Sequence, residues 1–199
     1  MTTLSAPNRV VCEYFDSLRR LVQDTKNAES EAQRRQTAAL AVVMAVNVVE
    51  VFLNLWFRVR VEERHTQEER NALLKDLAHP RPASLERKLR IWPQRYLHRE
   101  IDFTSGPGKK FMLVKALRNS IVHFSSSHET FEHDNVSIRG LADTTEYDAL
   151  SYESAKDALH AAEGMLAEVF RLANIENEHV PNLLHAWAGR IPIAIKKAV

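Results

Sequence analysis

Between Thr37 and Phe57 the chain reads TAALAVVMAVNVVEVFLNLWF, and no other stretch limits the fold as strongly. A run of this length and apolarity is long enough to span a bilayer as one helix. It is equally suited to the centre of a helical bundle. Its three polar residues separate the two environments. Asn47, Glu50 and Asn54 stand at i, i+3 and i+7, so they share one helix face. Glu50 near the middle of lipid would cost about 2.5 kcal/mol or more on insertion scales. A central bundle helix with one polar stripe is therefore expected, and no membrane span. A buried carboxylate needs a partner, so the stripe must meet a cation or donor elsewhere in the chain.

The rest of the composition agrees with an all-α domain. The chain has 199 residues, enough for one core and one domain over 1–199. Only 5 Gly and 7 Pro are present, which leaves little turn chemistry for a many-stranded β fold. The lone Cys12 has no internal disulfide partner, and the first nine residues are polar. A reducing, cytoplasmic setting without a leader peptide is the expectation. The net charge of +1 conceals an uneven distribution. Residues 79–118 hold 10 basic and 3 acidic side chains, and residues 119–178 hold 3 and 12. The basic block either meets a polyanion or pairs with the acidic block within the fold.

Helical spacing marks the other elements. Val11, Tyr14, Phe15, Leu18 and Val22 give a first helix over about 8–27, with Asn8 as its N-cap. Thr66-x-x-Glu69 is a capping box for a short helix ending near Ala78, after which His79-Pro80-Arg81-Pro82 breaks the chain. Ser84 caps a helix from Leu85, which Pro93 should end or kink. Gly106–Lys110 is expected to be a tight loop with no Walker pattern. Residues 125–147 are polar and irregular, with a short extended piece at 136–138. Ser151 caps a long helix through Ala173, and Pro181 suits the first turn of a last short helix. The segment from Ile191 is apolar with two lysines, suited to docking on the bundle or on a partner.

The stretch FMLVKALRNSIVHF, residues 111–124, carries the chemistry. Phe111, Val114, Leu117, Ile121 and Phe124 form the apolar side of one helix. Arg118, Asn119 and His123 interrupt that frame with a permanent cation, an amide and a group that gains or loses a proton near neutral pH. Asn119 and His123 share a face, while Arg118 and His123 lie roughly 140° apart on an ideal helix. One copy of the motif therefore does not make a compact site. Arg60 and His65 have the same spacing in a charged stretch, where a solvated helix end is the expected role.

With Leu117 before it and Ile121, Val122 and Phe124 around the His, the second copy resembles the Arg-Asn-x-x-x-His signature of HEPN domains. The resemblance covers about residues 35–175, leaving the first and last helices as additions to a HEPN-like bundle. It implies a homodimer in which two copies of Arg118, Asn119 and His123 form a ribonuclease site without metal or other cofactor. The products would be a 2′,3′-cyclic phosphate and a 5′-hydroxyl. It also implies a role as a defence effector or toxin, with an antitoxin or other protein partner. HEPN bundles tend to carry polar residues on the helix beside the motif, so Asn47, Glu50 and Asn54 are expected as supporting residues. Arg118 or His123 is the expected partner of Glu50, with a structural role for that carboxylate. Lys109, Lys110 and Lys115 are expected to contact RNA phosphates. The alternative is a non-catalytic dimerisation or partner-binding module with a structural Arg118–Glu50 pair. His123, His128 and His133 stand five apart, a spacing that does not stack metal ligands on one helix face, so no metal site is expected.

Overall fold

The computed structural model describes residues 6–79, 83–125, 130–134, 136–140 and 142–189, leaving aside the side chains of Phe131, His133, Ile138 and Arg139. The Pro80–Pro82 break, His128 and the segment from Ile191 lie outside the described residues. Among those described, eight helices and one small hairpin follow in order.

The first two helices set the frame. α1 (Pro7–Lys26) begins with Pro at its first position, where a missing N–H is harmless, and Ala6 rather than Asn8 is its N-cap. Asn8 instead donates its amide to the Ala186 carbonyl at 2.8 Å. α2 (Glu31–Arg64) starts earlier than the apolar run, because the Ser30 hydroxyl accepts the Gln33 N–H. Val11, Phe15, Leu18 and Val22 of α1 are buried in the same core as Phe52, Leu53 and Phe57 of α2. The first helix is therefore part of the core rather than an addition to it.

α3 (Gln67–Ala78) opens with the reciprocal Thr66–Glu69 capping box. α4 (Leu85–Leu97) continues past Pro93 rather than ending there. Trp92 and Tyr96 on either side of the proline are buried against Phe57, with ring centroids 5.6 and 6.0 Å away. That packing offsets the hydrogen bond the proline cannot make. The helix ends one turn later at His98, in the left-handed region with φ 54°.

α5 (Gly106–Val122) includes the glycine-lysine segment as its first turn, so the expected loop lies just upstream. Asp102 builds that loop. Its carboxylate accepts from the Ser105 hydroxyl at 2.5 Å, the Thr104 hydroxyl at 2.6 Å and the Thr104 N–H at 2.7 Å. Gly108 is required here, because a Cβ would stand 2.2 Å from the Asp102 carbonyl oxygen. The same bonds, the Ser105 hydroxyl's first, hold the Asp102 carboxyl down at about 2. Its folded pKa lies below its unfolded value, so the carboxylate's contribution is complete above about pH 4 and is lost as pH falls toward 2. Asp102→Asn is expected to flatten the acid limb of stability in that window, as read from urea midpoints. Identical acid limbs for the two proteins would mean that the turn does not anchor α5.

β1 (Thr130–His133) and β2 (Val136–Arg139) pair antiparallel, Thr130 opposite Arg139, where only one short extended piece was expected. α6 (Thr145–Asp148) is a single turn. α7 (Tyr152–Leu172) is capped by Ser151 and presents Ala155, Ala158, Ala161 and Ala162 to the core, a set of small side chains that lets its neighbours approach closely. α8 (Val180–Ala188) closes the bundle against α1 and α7. Phe52 sits at the junction, its ring 5.5 Å edge-on from both Phe170 and Trp187. The architecture is a helical bundle around one continuous core.

Candidate functional site

α5 delivers the motif to one end of the bundle. Arg118 lies in the last full turn, and His123 is the residue at which the helix stops, with φ −118° and ψ 69°. The His123 N–H still donates to the Asn119 carbonyl at 2.9 Å, so the ring leaves from a helix terminus rather than from a helix face. His123 and Asn119 are exposed, and Arg118 is half-buried. Arg118 Nη1 donates to Asn119 Oδ1 at 3.0 Å, while its Nε is buried without a partner. Beyond the motif the chain is tied down. Phe124 meets the Tyr147 ring edge-on at 6.1 Å, and the Asp143 N–H donates to the Ser125 carbonyl at 2.8 Å.

The partner of Glu50 is neither Arg118 nor His123. Lys88 of α4 donates to Glu50 Oε1 at 2.6 Å. Lys88 is only 2% exposed and lies over the Trp92 ring, whereas the Glu50 side chain keeps 33% of its surface in solvent. The pairing follows from where α2's polar face lies. Gln36, Leu40, Val43, Asn47, Glu50 and Asn54 recur on one side of α2, and all six are exposed or half-buried. Ala38, Ala41, Ala45, Phe52 and Trp56 on the opposite side form the core. The stripe is thus the outer face of α2, which α1, α4 and α5 only partly cover. Asn47 lines a groove between α1 and α2, and Asn54 Oδ1 is buried without a partner.

The three lysines do not form one cluster. Lys109 and Lys110 are exposed in the first turn of α5. Lys115 is on the flank facing α4, with its Nζ 3.9 Å from a Glu86 oxygen. Lys110 and His123 are separated by roughly 20 Å along the helix axis, at 1.5 Å per residue. Nor does the basic block pair with the acidic one among the described residues. Arg87 and Lys88 pair with Asp76 and Glu50, while Glu163 and Asp148 of the acidic block are met by Arg19 and Arg35.

The other Arg-x4-His copy is structural. His65 ends α2, as expected, but its ring is half-buried, with Nε2 3.1 Å from the Tyr96 carbonyl. Arg60 reaches the Ala173 carbonyl at 3.5 Å. Sequence reasoning missed one grouping, Glu176, Glu178 and His179 on the turn before α8, whose donor atoms lie within 4.8 Å of one another. All three are exposed.

Among the described residues α2 is the one helix long and apolar enough to cross a membrane, and half of its most apolar window is buried inside the bundle. Comparison with protein-family models, with curated proteins and with solved structures returned nothing similar to this chain.

Proposed function

We propose that this chain is a metal-independent RNA endonuclease of the HEPN type, acting as a cytoplasmic homodimer. The observation that carries the reading is the state of Arg118. Its guanidinium meets no carboxylate among the described residues, because Glu50 is neutralised by Lys88. It is held by Asn119, and the exposed His123 follows at the end of the same helix. A cation without a carboxylate partner is suited to a phosphodiester.

In this mechanism His123 takes the proton from a ribose 2′-hydroxyl, whose oxygen attacks the adjacent phosphorus. The P–O5′ bond breaks, and a second His123 from the partner protomer returns a proton to the leaving 5′-oxygen. Arg118 balances the charge that builds on the non-bridging oxygens. Lys109 and Lys110 hold phosphates further along the strand. The cellular role implied is that of a toxin or defence effector with a neutralising protein partner. The direct test is incubation with end-labelled RNA in excess EDTA, followed by mapping of the termini. Cleavage to 2′,3′-cyclic phosphate and 5′-hydroxyl ends is expected, and intact RNA would overturn the proposal.

The homodimer has its own support. Leu40 of α2 is 55% exposed, and with Val43, Ile121 and Tyr147 it lines an apolar groove beside the motif end. Phe124, 42% exposed, extends the same surface next to His123. Monomeric proteins seldom leave such patches in water. Leu40→Glu is expected to run as a monomer in light scattering at micromolar concentration, with the wild type as a dimer. A wild type that remains monomeric even with RNA present would count against a two-copy site.

A further inference from the structure

A groove of about 520 Å³ lies away from the motif end, along the seam between α5 and α7. The seam is closed at one end, where the Pro107 side chain is 3.6 Å from the position of a Cβ on Gly164. Beyond that contact Lys110, Leu113 and Leu117 of α5 border the groove with Ser154, Asp157 and His160 of α7, so the two helices run antiparallel. In that register Lys110 is level with His160 near the closed end, Leu113 with Asp157 about one turn on, and Leu117 with Ser154 at the far end. The α5 wall is mainly apolar. Leu113 is 62% exposed, the highest value among the large hydrophobic side chains described, so that wall stands in water unless something covers it. Lys110, Asp157 and His160 make no hydrogen bond or ion pair among the described residues, whereas the neighbouring Lys156 is engaged with Glu153. A cation and a carboxylate thus border one groove without bonding to each other, beside a bare leucine wall.

We propose that this groove binds a free α-amino acid with a large apolar side chain, such as phenylalanine or leucine. An apolar trough with a few convergent polar groups is how small-molecule sites are built. The charge pattern selects the ligand. Lys110 and His160 suit a carboxylate near the closed end, and Asp157 suits an ammonium group about one turn further on. Leu113 and Leu117 pack on the apolar side chain, which covers them. A free amino acid carries all three groups on one carbon, so it satisfies both charges and the apolar wall together. A simple carboxylate leaves Asp157 unmatched and is repelled by it, and an alkyl amine meets the same difficulty at Lys110. A residue inside a peptide has lost both charges from its α-carbon. The volume leaves room for the side chain and for water around the charged groups. Binding is a property of the RNA-free protein, in which Lys110 holds no phosphate, and it does not depend on RNA being cut.

Titration of the whole chain followed by amide NMR reads affinity and location together. Phenylalanine should shift amides of α5 and α7 around the groove. It should bind roughly tenfold more tightly than alanine, as expected when about half of a large side chain leaves water. N-acetylphenylalanine lacks the ammonium group and phenylalaninamide lacks the carboxylate. Each should bind roughly tenfold more weakly than phenylalanine, the loss of one bond to a charged group. Variants at exposed positions assign those losses. Asp157→Asn should weaken phenylalanine to the level of N-acetylphenylalanine without weakening the acetylated compound. Lys110→Gln should weaken phenylalanine and N-acetylphenylalanine but not phenylalaninamide. Leu113→Ser should remove most of the advantage of phenylalanine over alanine. No binding of phenylalanine, equal affinity for phenylalanine and its two derivatives, or shifts confined to another surface would overturn the proposal. So would phenylalanine binding that survives Asp157→Asn and Lys110→Gln in normally melting proteins. Cleavage in EDTA is scored separately, so failure of either proposal is distinguishable from failure of the other.

Discussion

His123→Ala is expected to cut labelled RNA roughly 10²–10⁴-fold more slowly than the wild type, the usual loss for a general acid–base group, while melting beside it. His123 is exposed at a helix terminus, and its ring makes no hydrogen bond among the described residues. Its removal opens no core cavity, and exposed substitutions of this kind usually fall within about 0.5 kcal/mol. Arg118→Ala is expected to lose roughly 10²–10³-fold in rate, as for other donors aimed at developing negative charge. It too should stay close to wild-type stability. Arg118 leaves no stranded carboxylate behind, because Glu50 belongs to Lys88. Chemical quench for cleavage and urea unfolding for stability read the two effects independently. RNA cleavage that persists in well-folded His123→Ala protein would remove the proposed mechanism. Early unfolding of Arg118→Ala would return Arg118 to a structural role.

The largest loss of stability is expected at Glu50. Glu50→Ala leaves Lys88, 2% exposed, as an unpaired cation inside the bundle. Breaking a buried pair in this way costs about 3 kcal/mol or more. Lys88→Met removes the other partner and should cost much less, about 1 kcal/mol. The Glu50 side chain keeps a third of its surface in water, and the methionine refills the space beside Trp92. The asymmetry is the informative part, since both variants delete the same ion pair. It is measured as the difference in urea midpoints at matched slope. Equal losses in the two variants would mean that both charges are comparably hydrated after the partner is gone.

Much of the backbone was legible because its signals are local. Ser84, Ser151 and the Thr66–Glu69 box mark helix starts through bonds spanning three residues. Pro181 falls in the first turn of α8 for the same kind of reason. Pro93 does not end α4, because the rule against proline in a helix is also local, whereas Trp92 and Tyr96 around it pack on Phe57 of another helix. The glycine-lysine segment misled in a related way. Pro and Gly there start α5 rather than precede it, with Asp102 supplying the turn. Lys110 and Lys115, five residues apart, lie on different sides of α5, which the spacing alone fixes.

The sequence by itself determined that the chain is helical, where most helices begin, and that Arg118, Asn119 and His123 gather at the end of one of them. Hydrophobic spacing and capping act within a turn or two, and a single chain displays them without its neighbours. Only the tertiary structure decided which cation neutralises Glu50, that α2's polar stripe is an outer face, and that Leu113, Lys110, Asp157 and His160 share a groove. Those outcomes depend on the angles and distances at which helices pack, where residues 38 or 50 positions apart become neighbours. Glu50 pairs with Lys88 of α4, a partner that only the packing of α2 against α4 determines.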